Sequence, residues 1–225
     1  MMPPIGHLVL CLFLAASNSR ANPQKSAPKR SDGVTLRARV IYDETVKKNI
    51  SASGIEDEQE DPIRKVFEKM FEKVQEYFAN ESVPVKIIVK SVSMNNKLEV
   101  TFKDTGSEDT MIDGPETLKK LEELWRNKTR KYYPVFYLFT MKKILRENPK
   151  ADTPSDLYYL ETRETFCTSN ASAAVVTYEP GDNSYEFPAR VTARILGSTR
   201  YWKFDKRDRE YMKESMARCR GASST

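Results

Sequence analysis

Val135-Phe136-Tyr137-Leu138-Phe139-Thr140 is an unbroken apolar run of strand length. A strand without polar alternation has no face to give to water, so it needs a central place in a sheet covered on both sides. The rest of the chain has to supply that cover. At 225 residues, with 39% hydrophobic content, there is room for one ordinary domain with a real core.

The remaining pattern fits that demand. Val34 to Asp43 alternates apolar and polar residues and then becomes continuously apolar, as a strand entering a sheet does. Residues 52–61 are acidic and read as a solvated loop. Asp61-Pro62 provides an N-cap followed by Pro at the first helical position, and Ile63, Val66, Phe67, Met70, Phe71, Val74, Tyr77 and Phe78 keep helical spacing. Val85 to Val92 reads as a strand. Lys97 to Lys103 alternates strictly, and Asn95-Asn96 between the two suggests a hairpin. Asp113-Gly114-Pro115-Glu116 opens a second helix carrying Leu118, Leu121, Leu124 and Trp125, with basic residues from Arg126 onward favouring its C-terminal end. Leu157 to Phe166 suits a charged edge strand, and Ala173 to Tyr178 another short strand, ended by the turn Glu179-Pro180-Gly181-Asp182. Phe187-Pro188 starts a further helix that is expected to run through Ala193 to Asp205, and residues 206–219 look helical or irregular. Strands and helices alternate, which gives an α/β (α+β) fold with a mixed, mostly parallel sheet and packed helices.

The start of the chain points to export. Leu8 to Ala16 is apolar but too short to span a bilayer, and small residues follow at Ser17, Ser19 and Ala21. Residues 1–20 therefore read as a signal peptide, 21–33 as a flexible basic leader, 34–219 as a single domain and 220–225 as a tail. Asn49, Asn80, Asn127 and Asn170 each begin an N-glycosylation triplet. Cys11 falls in the signal, which leaves Cys167 and Cys219 as the pair expected to form a disulfide in an oxidising compartment. The net charge of +5 is a mild excess that favours anionic surfaces weakly. Nucleic acid is not an expected partner, since no interleaved basic and aromatic motif occurs.

Catalytic chemistry finds little to work with. The sole histidine, His7, lies in the signal segment, so the mature chain has no imidazole for a metal or for a serine or cysteine nucleophile. No EF-hand spacing or phosphate-cradling glycine loop occurs, and the carboxylates are scattered. No cofactor is expected.

The order of these elements resembles the metzincin metalloprotease domain, with the reprolysin-like branch found among salivary proteins of blood-feeding ticks the nearest in kind. In that family the active-site helix reads A-H-E-L-G-H-x-x-G-x-x-H-D, and its three histidines hold zinc. Laid on it without gaps, Ala193, Leu196, Gly197 and Asp205 keep the pattern. Arg194 and Ser198 stand at the two helix imidazoles, Ile195 at the catalytic glutamate, Tyr201 at the second glycine and Phe204 at the third imidazole. Family members bracket this helix with a disulfide, as Cys167 and Cys219 bracket it here.

The resemblance implies a metalloprotease-like scaffold that has lost its zinc ligands and general base: a secreted pseudoenzyme that binds an extracellular or host protein. Two surfaces are open to it. The edge strand Leu157 to Thr165 can accept an extended peptide. Alternatively, Arg190, Arg194, Arg200, Lys203, Lys206, Arg207 and Arg209 can form a basic patch for an anionic glycan or surface. The competing readings are an active metalloendopeptidase with unconventional ligands, and an unrelated α/β secreted binding domain with affinity for a glycan or an anionic surface.

Overall fold

The computed structural model describes residues 34–52, 61–103, 110–126, 133–146 and 156–221. The expected signal segment and basic leader, the Asn127 triplet, most of the acidic 52–61 loop and most of the expected tail lie outside them. Strand β1 (Val34–Tyr42) runs into helix α1 (Glu44–Ala52); helix α2 (Pro62–Asn80) and strand β2 (Val85–Met94) follow. Short strands β3 (Thr101–Lys103) and β4 (Thr110–Asp113) precede helix α3 (Gly114–Arg126) and strand β5 (Pro134–Thr140). After β6 (Ile144–Leu145), β7 (Asp156–Leu157), β8 (Tyr159–Glu161) and β9 (Ser172–Thr177) come helices α4 (Glu186–Ile195) and α5 (Lys206–Gly221).

The main sheet has the order β2-β1-β5-β9-β8, parallel except for β8, which pairs antiparallel with β9. The apolar run is its central strand. All seven residues of β5 are buried, and they divide by pleat: Val135, Tyr137 and Phe139 join the core shared with α2 and α4, while Phe136 and Leu138 join the core under α3. On the α2 side Phe71 meets Tyr137 edge-on at 4.9 Å, and Phe67 lies 4.9 Å from Phe139. Asp61 caps α2 as its sequence implies, its Oδ1 accepting from the N–H groups of Ile63 and Arg64. Asp113 does the same for α3 through Glu116 N.

The hairpin between Val85 and Lys103 does not form. β2 pairs parallel with β1, and β3 pairs with β4 in a second sheet of order β3-β4-β6-β7. The alternation of 97–103 breaks where it would matter, because Leu98 and Glu99 are both buried in succession. Helix α1 is also unannounced: it buries only Val46 and Ile50, and its start is fixed by Asp43 Oδ1 accepting from Val46 N. The expected long edge strand is split: Leu157 belongs to β7 of the small sheet, and Tyr159–Glu161 alone takes the expected edge position in the main sheet. Among the described residues no helix is long and apolar enough to cross a membrane.

Candidate functional site

Helix α4 is ten residues long and stops at Ile195 instead of continuing to Asp205. The cause is Gly197, whose φ of +99° suits glycine alone. Ser198 N donates to Ala193 O at 2.9 Å and Gly197 N to Arg194 O at 3.1 Å, the paired bonds that close a helix end on a left-handed residue. The helix row Arg190 and Arg194 therefore does not extend to Ser198, nor the neighbouring row Val191 and Ile195 to Trp202. The segment 198–205 is a turn pinned from below by Asp208, which accepts from Thr199 N at 2.9 Å and Thr199 Oγ1 at 2.8 Å. Asp205 and Asp208 cap α5 reciprocally, each accepting from the other's N–H. Burial raises the Asp208 carboxyl's proton affinity, but these hydrogen bonds outweigh it and hold the group below the ordinary value.

The residues at the four degenerate motif positions diverge. Ile195 is wholly buried in the core. Phe204 packs 5.6 Å from both Tyr77 and Phe78 at the far end of α2. Ser198 Oγ donates to Arg200 O at 2.8 Å. Arg194 turns towards β8; its Nη1 donates to Ser198 O at 2.8 Å and its guanidinium lies 5.0 Å from the Tyr201 ring, both in the turn after α4. A guanidinium, a hydrocarbon, a committed hydroxyl and a phenyl ring do not fit a zinc centre, which needs neutral nitrogen or anionic donors converging on one point.

What the turn and α4 build instead is a wall along β8. Tyr159 and Glu161 share one face of that strand, and Arg163 follows it in the loop. Arg194 Nε is 3.7 Å and Arg163 Nε 3.5 Å from Glu161 Oε1, whose side chain is 4% exposed. Burial raises the Glu161 carboxyl above its ordinary value, more than the flanking Arg163 and Arg194 lower it. Aromatic rings continue the wall: Tyr159 lies 5.5 Å from Phe187 and 5.4 Å from Tyr201, and Tyr158, 61% exposed, stacks on Phe187 at 5.1 Å. Arg190 sits 5.6 Å from both Phe187 and Trp202, and Trp202 stacks on Tyr77 at 4.0 Å.

The two edges of the main sheet differ. On β2 the outward Ile87 N–H donates to Gln75 Oε1 at 2.8 Å, and Val89 O accepts from Arg64 Nη2 at 3.3 Å. The pairing with β1 shifts register between Ala38 and Arg39 so that Lys90 is left over, and a bulge of this kind blunts an edge. On β8, Tyr158 O accepts from Thr177 N and Thr162 N donates to Ala173 O. By the alternation of an antiparallel pair, Tyr159 and Glu161 turn their N–H and C=O groups to the open side.

The expected basic patch is not one surface. Arg194 is buried, Arg200 is held by Asp205 at 3.1 Å and Asp208 at 3.6 Å, and Arg207 donates to Tyr211 Oη at 2.7 Å. Of the glycosylation triplets, Asn80 and Asn170 are exposed and Asn49 half-buried. Cys167 and Cys219 are bonded, with Cα atoms 5.1 Å apart, and tie the end of α5 to the loop after β8.

A second buried charged group escaped the sequence reading. At the C-terminal ends of β1 and β5, Lys142 Nζ lies 3.2 Å from Asp43 Oδ2 and bonds Glu99 Oε2, while Thr140 Oγ1 donates to Asp43 Oδ2 at 2.8 Å. Glu99 Oε1 is buried without a hydrogen-bond partner. Burial above all, then Asp43 beside it, pushes the Glu99 carboxyl up to about 7 against the pull of Lys142. The group clamps the small sheet to the end of the large one. Nothing in the spacing of residues 43, 99 and 142 signals it.

No family model matches the chain, and no curated protein matches it. Among solved structures it is similar to metalloproteinase-II from Bacteroides fragilis, at 12% identity and a TM-score of 0.45, over 83% of this chain and 55% of that one. It is also similar to a chain of a chaperone–substrate complex, at 8% identity and a TM-score of 0.45, over 74% of this chain and 24% of that one. The chain thus spans about half the length of the first and about a quarter of the second.

Proposed function

We propose that the chain is a secreted, non-catalytic protein on a metalloprotease-like scaffold, and that it binds an extended segment of an extracellular or host protein along β8. The observation that carries this reading is the contrast between the sheet edges: β2 is capped by Gln75 and Arg64, whereas β8 presents the backbone groups of Tyr159 and Glu161. An added strand gains main-chain hydrogen bonds there, and the neighbouring rings of Tyr158, Phe187 and Tyr201 give its side chains apolar contacts. The scaffold reading is supported by the order of elements from β1 to α4, which is the order on which the metzincin resemblance rests. Against the competing metalloendopeptidase stands the donor set, a guanidinium and a phenyl ring where imidazoles would be needed.

One observation favours the other alternative, an unrelated α/β binding domain. Helix α4 closes on Gly197 and lacks the length that the metzincin pattern implies. Both readings use the same edge.

The test is peptide selection from a displayed library on the glycosylated protein. Peptides that lose binding when alternate backbone amides are N-methylated, and that fail on Tyr159→Pro, support strand addition; tolerance of both changes rejects it. Stoichiometric zinc with chelator-sensitive peptide cleavage would sink the non-catalytic reading.

A further inference from the structure

Between the C-terminal end of α2 and helix α5 lies a depression of about 310 Å³, none of whose lining residues belongs to the β8 wall. Its floor is apolar, with Val83 and Met216 buried and Pro84 at the rim. One side of α5 forms the wall. Lys206, Arg209 and Lys213 are three and four residues apart, which places them on one helix face. At about 1.5 Å of rise per residue the row extends roughly 10 Å.

Counter-charge in this depression is sparse. Glu210 is the carboxylate among the lining residues, and its Oε1 is 3.9 Å from Lys206 Nζ, with the two side chains 58% and 87% exposed. So loose and wet an ion pair neutralises little. Arg209 gives Nη1 to Phe204 O, which fixes its head against the first turn of α5 while the rest of the guanidinium fork keeps further donors. The contrast with the turn just before α5 is plain: there Arg200 meets two carboxylates, Asp205 and Asp208.

We infer that this depression binds a sulfated polysaccharide, a linear polyanion lying along α5 with sulfate esters against Lys206, Arg209 and Lys213 and a sugar ring over Pro84 and Met216. A row of cations suits charges repeated along a chain better than a single compact anion, which would be met by a cup. A membrane surface fits less well, because the exposed large apolar side chains among the described residues are Met94, Met141 and Tyr158, none of which lines this depression. The inference shares no residue with the β8 reading and stands or falls separately.

The experiment measures binding of a heparin-derived octasaccharide to the full glycosylated chain across a salt series. Lys206→Gln/Lys213→Gln weakens binding about tenfold and lowers the slope of log affinity against log salt by about two, as for other polyanions that release counterions. Lys86→Gln/Lys90→Gln, which removes equal charge from exposed positions on β2, changes it less than about twofold. Both pairs are exposed, so unchanged thermal midpoints confirm that folding is not at issue. Equal losses in the two variants, or no binding by the parent, overturn the site. Binding to phosphatidylserine vesicles that depends on Lys206 and Lys213 and is not displaced by the octasaccharide overturns the saccharide assignment. Tyr159→Pro leaves octasaccharide affinity unchanged, which separates this site from the β8 edge.

Discussion

Arg194 of α4 and Glu161 of β8 face each other 3.7 Å apart, with side chains 10% and 4% exposed, so a helix and a sheet edge are joined through opposite charges out of water. Removing Arg194 leaves the buried Glu161 with only the more exposed Arg163 beside it. Arg194→Ala is expected to destabilise the fold by about 3 kcal/mol in urea unfolding, and Arg194→Met/Glu161→Gln together to recover most of that loss.

Glu99 makes a contribution that depends on pH. Its carboxyl titrates near 4.5 when unperturbed and is raised to about 7 in the fold, so the folded chain holds a proton that the unfolded chain releases. The stability it adds is fully present below about pH 4.5 and is lost as pH rises to about 7, by up to about 3 kcal/mol. Glu99→Gln should flatten that decline in unfolding curves taken at pH 5 and pH 8. Asp43 acts in the opposite sense in the same group. Burial raises its proton affinity, but hydrogen bonds involving Glu99, Thr45, Val46 and Thr140 outweigh this and lower it, so its contribution is lost towards acid.

Gly197 closes α4 at a φ of +99°, and a Cβ built there would come within 3.1 Å of Ser215 Oγ. Gly197→Ala should cost about 2 kcal/mol through backbone strain and lower the unfolding midpoint accordingly.

The disulfide joins residues 52 apart in sequence. By chain entropy, Cys167→Ser/Cys219→Ser should lose about 4 kcal/mol in denaturant unfolding. The loss should fall mainly on α5, which hydrogen-exchange protection would show as faster exchange there than in β5.

Local pattern revealed much of this fold. The spacing of Ile63 to Phe78, the cap at Asp61 and the unbroken apolarity of β5 each identify an element with its partner surface, because burial on one or both faces leaves a period in the chain. Strand pairing leaves none. Lys97 to Lys103 carries a strand period, yet only its last three residues, β3, pair, and they pair forward with β4, since β1 already occupies one side of β2 and Gln75 and Arg64 meet the other. The candidate site was legible only in part. The position of the edge strand and the burial of Ile195 follow from patterns, whereas Arg194 meeting Glu161 depends on how far α4 runs, and a single glycine decided that.

The capping of β2 by Gln75 and Arg64 bears on valency. A sheet with two live edges can seed an open-ended polymer, each added strand offering a fresh edge to the next molecule. Among the described residues the main sheet can grow from its β8 side only, so two copies that met there would terminate one another. If β8 takes a guest strand as proposed, it would do so at high concentration without making the main sheet the first layer of an aggregate.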